Sequence, residues 1–321
     1  MRIGTAMQFN TGIRNIQGQQ SELHRAQNQL STGRRMLSPS DDPLASMEAM
    51  QVEQAKGVNA QFLANQGTAK SKLSTLESTM GSLGDNLAAI RTAMIAAGNA
   101  AYNDSDRESV AQELSQRLGA LVDLANTRDS NGNYVFSGFQ SSVKPFEQAF
   151  NPVTNRDEYV YRGDQGRVSL QVAPSISMAI GENGDDVFMR IRDSSGVPGS
   201  KDVFESIQDV IQNLRGQNPL TATNPTGKFS AEDLTNSIGD IDAAMDNILL
   251  KRTDIGARLS SLDSLSNSAG DFDLIYSTRL SQLQDVDYAE AISRFSRHQM
   301  QLEATQITFR QASQMSLFSL I

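Results

Sequence analysis

AKSKLSTLESTMGSLGDNLAAIRTAMIAA, residues 69–97, places an apolar or small side chain at Ala69, Leu73, Leu76, Met80, Leu83, Leu87, Ile90, Met94 and Ala97. The steps alternate between four and three residues over about four heptads. That is the seam of a coiled-coil-type helix, whereas a strand would repeat every two. The seam lies in a proline-free run from 44 to 144, opened by Asp42-Pro43. Proline suits the first position of a helix, and the carboxylate before it can cap the free amides. A helix from 43 to 98 is therefore predicted, roughly 80 Å long at ~1.5 Å per residue.

Working outward, a second helix is predicted from Ser105-Asp106-Arg107-Glu108, which has capping-box spacing. Its stripe is Val110, Leu114, Leu118, Leu121 and Ala125. It closes by Asn131-Gly132, and Tyr134-Val135-Phe136 reads as a strand. The character then changes. Tyr159-Val160-Tyr161, Val168 to Val172 and Val187-Phe188-Met189 are short strand-like runs, parted by turns at Gly163-Asp164, Gly166 and Glu182 to Asp185. Val203 to Leu214 reads as a short amphipathic helix, and 215–228, with Pro219 and Pro225, as a linker. A second 4–3 series follows: Leu234, Ile238, Ile241, Met245, Ile248, Arg252, Ile255, Leu259, Leu262, Ser266 and Ala269. Both series run intact on either side of the β-rich stretch, so that stretch reads as a spacer-like insertion. The fold class expected is mainly α with an inserted β-rich domain, on a long antiparallel coiled-coil-like rod with paired terminal helices. The divisions are 1–42 with 286–321, 43–139 with 226–285, and 140–225.

At the termini, Phe9, Ile16, Leu23, Leu30 and Leu37 are seven apart, as are Tyr288, Phe295, Leu302 and Phe309. These nine residues are the candidate assembly positions, with Asp42 and Pro43 as a helix cap. The alternate seam positions taken with them are weak: Ile13, Gln20 and Gln27, then Ile292, Gln299 and Gln306. Residues 1–30 carry only Arg2, Arg14, Glu22 and Arg25 as charges. A Gln-diluted seam with a charge-poor face implies helices that are marginal alone and order when identical copies pack.

Net charge is −9. Residues 1–40 carry +4 and 291–321 carry +2, which leaves −15 on 41–290. An acidic body does not suit nucleic acid, and the basic ends are too dilute for a membrane surface. No run approaches a membrane span, and Met1 to Gln20 has no apolar core of a signal peptide. With no Cys, disulfides and thiolate sites are excluded. His24 and His298 lie outside any H-E-x-x-H pattern and read as helix-surface residues. Asp129-Ser130-Asn131-Gly132-Asn133 begins like a calcium loop but lacks its later ligands and reads as a turn. Asp41-Asp42 reads as a cap, and the methionines of both seams as core filling. No catalytic residue, cofactor or metal site is expected.

Four segments then carry a resemblance. Gln29 to Pro43 (QLSTGRRMLSPSDDP), Asn133 to Gly138 (NYVFSG), Ile255 to Leu259 (IGARL) and Asp285 to Ala291 (DVDYAEA) resemble, in order, signature segments of the flagellin superfamily. The opening Met1-Arg2-Ile3, the Ser40-Asp41-Asp42-Pro43 form and the Tyr-Val-Phe-Ser-Gly run are similar to its hook–filament junction branch, although Gly4 replaces an expected serine. The resemblance implies a structural subunit, exported without a cleaved signal peptide and located extracellularly in the bacterial flagellum. It implies partners: other copies of itself, the first junction protein, flagellin and a cytoplasmic export chaperone. Two other readings stand beside it. One is a filament flagellin; the other is an adhesin whose binding lies in the β-rich stretch.

Overall fold

A computed structural model describes residues 2–152, 156–192, 198–217 and 228–318. Within them the chain is mainly α, with an inserted β-rich region. The helices are α1 (Arg2–Thr32), α2 (Pro43–Ala97), α3 (Asp104–Ala125), α4 (Val203–Leu214), α5 (Ala231–Gln284) and α6 (Tyr288–Phe318). Three antiparallel ribbons lie between α3 and α4: β1 (Phe146–Asn151) with β2 (Arg156–Tyr161), β3 (Ser169–Ala173) with β4 (Ile176–Ala179), and β5 (Ile191–Arg192) with β6 (Pro198–Lys201). The chain resolves into two compact units, residues 61–269 and residues 1–60 with 270–321.

In the larger unit all nine seam residues of 69–97 are buried. They face α5 in antiparallel register. Lys70 pairs with Asp263, Glu77 with Arg252, and Arg91 with Asp242. Arg252, the polar break in the second series, is answered by Glu77 at 2.7 Å. Each Leu or Ile removed from water here is worth ~1.5–3 kcal/mol, so the seam is the main stabilising feature. Helix α3 is capped by Asn103, whose side chain accepts from Asp106 N while Asp106 returns a bond to Asn103 N. The box therefore sits two residues before the predicted Ser105–Glu108 pair. Polar residues crowd this stretch, and the one whose backbone is extended takes the role.

The β-rich region departs from the prediction in two places. Val187-Phe188-Met189 belongs to a π-helical turn over Asp185–Met189. Val187 and Phe188 are both buried, which a strand with alternating side chains cannot achieve but a helical turn can. Tyr134-Val135-Phe136 makes only an isolated bridge, Arg128 to Tyr134, because Gly132 and Gly138 turn the chain with positive φ on either side. Strands β1, β4, β5 and β6 were not foreseen. The predicted linker lies, from 218 to 227, outside the described residues.

The region is not a spacer. Phe136, Phe146, Val172, Phe188 and Phe204 belong to the same buried cluster as the α2, α3 and α5 seams. Phe188 stacks on Phe204 with centroids 5.4 Å apart, and Phe146 meets both edge-on at 5.1 Å. The hydroxyl of Tyr161 donates toward the carbonyls of Phe136 and Asp164 at 2.9 and 2.8 Å, and burial pushes its pKa up to about 12. Polar anchors add to this core. Gln66 on α2 donates to Val172 O at 2.7 Å, and Asn247 on α5 donates to Asp186 O and Val187 O. Glu182, its side chain wholly buried, meets Arg258 at 2.9 Å, Lys251 at 3.3 Å and Arg167 at 3.4 Å.

Candidate assembly surface

The second unit is built on α1 and α6. Phe9 meets Phe309 with ring centroids 5.1 Å apart, and Val286 N donates to Gly33 O at the other end, so the helices run antiparallel. Helix α1 stops at Thr32 because Gly33 takes φ +69°, the left-handed conformation that ends helices. The segment after it is fastened residue by residue. Gln29 Nε2 donates to Arg35 O at 2.7 Å, Arg35 N to Gln284 O at 2.7 Å, and Arg35 Nη2 to Leu283 O at 3.0 Å. Asp41 Oδ2 accepts from Leu37 N and Ser38 N, which holds its carboxyl below the usual carboxylate range. Asp42 Oδ1 accepts from Ala45 N at 3.1 Å in the first turn of α2, which Pro43 opens. Asp287 caps α6 through Ala289 N and Glu290 N. Asp41 and Asp42 are thus occupied with backbone amides.

Ile16, Leu23, Leu30, Phe295, Leu302 and Phe309 are half-buried. Phe9, Leu37 and Tyr288 are more open, at 50%, 38% and 55% exposure. The second track of the seam is displaced from the predicted one. Gln20, Gln27, Ile292 and Gln299 face solvent, and Gln306 is half-buried. Gly12, Gln19, Ala26 and Gly33 take that track on α1, and Ala291, His298 and Thr305 on α6. The physical reason is proximity: small residues let α1 and α6 approach closely, whereas the Leu, Ile and Met seams hold α2 and α5 further apart. Gly12, Gln19, Ala26 and Gly33 are themselves seven apart, a signal that apolar pattern reading passes over. Gln19 Oε1, Arg294 Nε and His298 Nδ1 are enclosed in this pair without a hydrogen-bond partner. Each such group costs ~1–3 kcal/mol, so the pair is weakly held for its length.

This unit also exposes much apolar surface. Leu44, Met47 and Met50 on α2, Phe272, Leu274 and Ile275 on α5, and Ile292, Met300 and Ile307 on α6 are all exposed. Apolar exposure repeated over three helices marks a surface built to be covered by protein. His24 is exposed and His298 half-buried. Asp129 accepts from Asn131 N and Asn133 N and lies 3.8 Å from Lys72, which makes it the anchor of a turn. Among the described residues no group of three or more His, Asp or Glu is placed to hold a metal ion, and no helix is long and apolar enough to cross a membrane.

Residues 3–141 match the bacterial flagellin N-terminal helical region, and 238–321 match the bacterial flagellin C-terminal helical region. The flagellar hook-associated protein 3 of Salmonella typhimurium is 30% identical over the whole of this chain and 99% of its own length. The chain belongs to the flagellar hook-associated protein 3 family. The Escherichia coli hook-associated protein 3 is 29% identical over the same spans. The crystal structure of hook-associated protein 3 from Legionella pneumophila shares the fold. Its TM-score is 0.63 at 22% identity, with 73% of this chain and 98% of that one covered. In this hook-associated protein each of the four signature segments has a local task. Residues 29–43 tie α1 to α2, and 133–138 turn into the β-rich region. In 255–259, Ile255 sits in the seam and Arg258 holds Glu182, while 285–291 caps α6.

Proposed function

We propose that this chain is a structural subunit of the bacterial flagellum that joins the hook-side junction protein to the flagellin filament. The observation that carries the proposal is the full-length match to hook-associated protein 3. The partners are other copies of the chain, the first junction protein below, flagellin above and a cytoplasmic export chaperone before assembly. Neither nucleic acid nor membrane is a partner, and the protein reaches the outside of the cell without a cleaved signal peptide.

On this reading residues 1–42 and 286–321 are the assembly segments, with Phe9, Ile16, Leu23, Leu30, Leu37, Tyr288, Phe295, Leu302 and Phe309 as their contact positions. Residues 43–139 with 226–285 support them, and 140–225 face outward. The half-exposed aromatic ends of the α1–α6 pair and its unpartnered polar groups support that assignment. The chain has no catalytic role. Its most buried carboxylate, Glu182, is held by three cations. Immunogold labelling of an epitope-tagged chain tests the placement. A short labelled zone at the hook–filament boundary is expected. Label along the whole filament would make it a flagellin instead.

A further inference from the structure

The unit built on α1 and α6 holds a polar cavity of about 280 Å3, walled by Glu22, Arg25, Arg35, Asp41, Arg294 and His298. A helix pair ordinarily buries apolar groups, so this many ionisable groups around one void need an account. Internal pairing accounts for some. Arg35 donates to Leu283 O and lies 3.5 Å from Asp42. Asp41 is occupied by Leu37 N and Ser38 N. The rest is unbalanced. Arg294 and His298 stand one turn apart on α6, and Arg294 Nε and His298 Nδ1 are sealed from solvent with no hydrogen-bond partner. Among the described residues neither Arg25 nor Glu22 forms an ion pair or hydrogen bond. Two guanidinium groups and an imidazole therefore face the void against one uncommitted carboxylate.

We propose that this cavity is an oxyanion site, filled in the assembled state by the carboxylate of an acidic side chain from an adjoining copy of the chain. This rests on the self-assembling role proposed above. Guanidinium groups bind carboxylates through paired hydrogen bonds, and the void has room for such a group with accompanying water. Charge identifies the source. Residues 41–290 carry −15 against +4 at 1–40 and +2 at 291–321, so each copy brings surplus acid to the basic ends of another. Free phosphate offers the same chemistry, and the experiment separates the two.

The chain has only two histidines, so imidazole NMR signals report the cavity through His298 and an exposed control through His24. Full-length protein is titrated with succinate as the carboxylate probe, and separately with inorganic phosphate, at constant ionic strength. Succinate should shift the His298 signals to saturation and leave His24 unmoved. Arg294→Gln should weaken binding roughly tenfold with an unchanged circular dichroism spectrum, and Arg294→Lys should recover part of the affinity. Parallel drift of both histidines, or unchanged affinity in Arg294→Gln, overturns the site. Saturation by phosphate alone overturns the carboxylate. In a strain where the wild-type gene restores filaments, Arg294→Gln should lower filament number several-fold; normal numbers overturn the neighbouring copy as occupant. If the wild-type gene itself restores nothing, the junction role has failed, and the titration still decides the site.

Discussion

Phe309 on α6 covers Gly12 on α1 so closely that a Cβ at Gly12 would stand 2.5 Å from the ring carbon Cδ2. Phe309 also meets Phe9, so this contact closes one end of the terminal helix pair. Gly12→Ala has two opposed effects. It improves helix propensity by ~0.8–1 kcal/mol, and it displaces a ring whose burial is worth up to ~3 kcal/mol. Displacement should win, separating α1 from α6 while α1 keeps its helical content. Gly18 has no neighbouring atom within 4 Å, so Gly18→Ala should only stabilise, by ~0.5–1 kcal/mol. Hydrogen exchange on α1 and α6 reads the difference. Equal behaviour of the two variants would remove the close-approach explanation.

Sequence reading recovered the long elements for a reason the structure makes plain. The 69–97 seam is made of large residues whose removal from water dominates, so its pattern is its burial. The start at Pro43 and the bounds of Val203–Leu214 were legible because caps and a strong apolar stripe coincide there. The α1–α6 seam was half legible. Its Phe, Ile and Leu track carries an apolar signal, whereas its second track works through Gly12, Ala26 and Gly33, which lack bulk. Val187-Phe188-Met189 has strand composition, and only the burial of two adjacent side chains in one core turns it into a helical turn.

Glu182→Gln tests whether the β-rich region is locked onto α5 by charge. Its wholly buried carboxylate faces Arg258, Lys251 and Arg167, and removing one partner of such a group costs ~3–5 kcal/mol. The thermal midpoint should fall by several degrees. Lys70→Gln, which breaks an exposed pair with Asp263, should cost less than ~1 kcal/mol. A Glu182→Gln midpoint within a degree of wild type would mean the cluster contributes no stability.

Asp202 caps α4 by accepting from Glu205 N, yet burial pushes its carboxyl from an ordinary 3.8 up to about 7. The folded-state value is the higher one, so the fold prefers the neutral acid. The stability linked to Asp202 is present below about pH 4 and lost as pH rises to about 7. Asn keeps the cap without the charge. Asp202→Asn should therefore exceed wild type by about 2 kcal/mol at pH 8, and the advantage should vanish near pH 3.5. A pH-independent difference in denaturant midpoints would refute the assignment.

Leu23→Ala with Leu302→Ala should harm assembly more than monomer stability, because both residues are only half-buried. Leu83→Ala with Ile248→Ala removes two fully buried seam residues and should cost ~2–5 kcal/mol at each site in the monomer. Circular dichroism melts report the monomer, and filament counts report assembly. A terminal pair that lowers the melt as much as the seam pair would place α1 and α6 in the stable core.

The junction role is tested most directly by deleting the gene in its host and asking where flagellin goes. With the junction missing, hooks should form without filaments, and flagellin should be exported and shed into the medium as monomer. Filaments of normal length on the deletion strain, or loss of flagellin itself from cells and medium, would contradict the account.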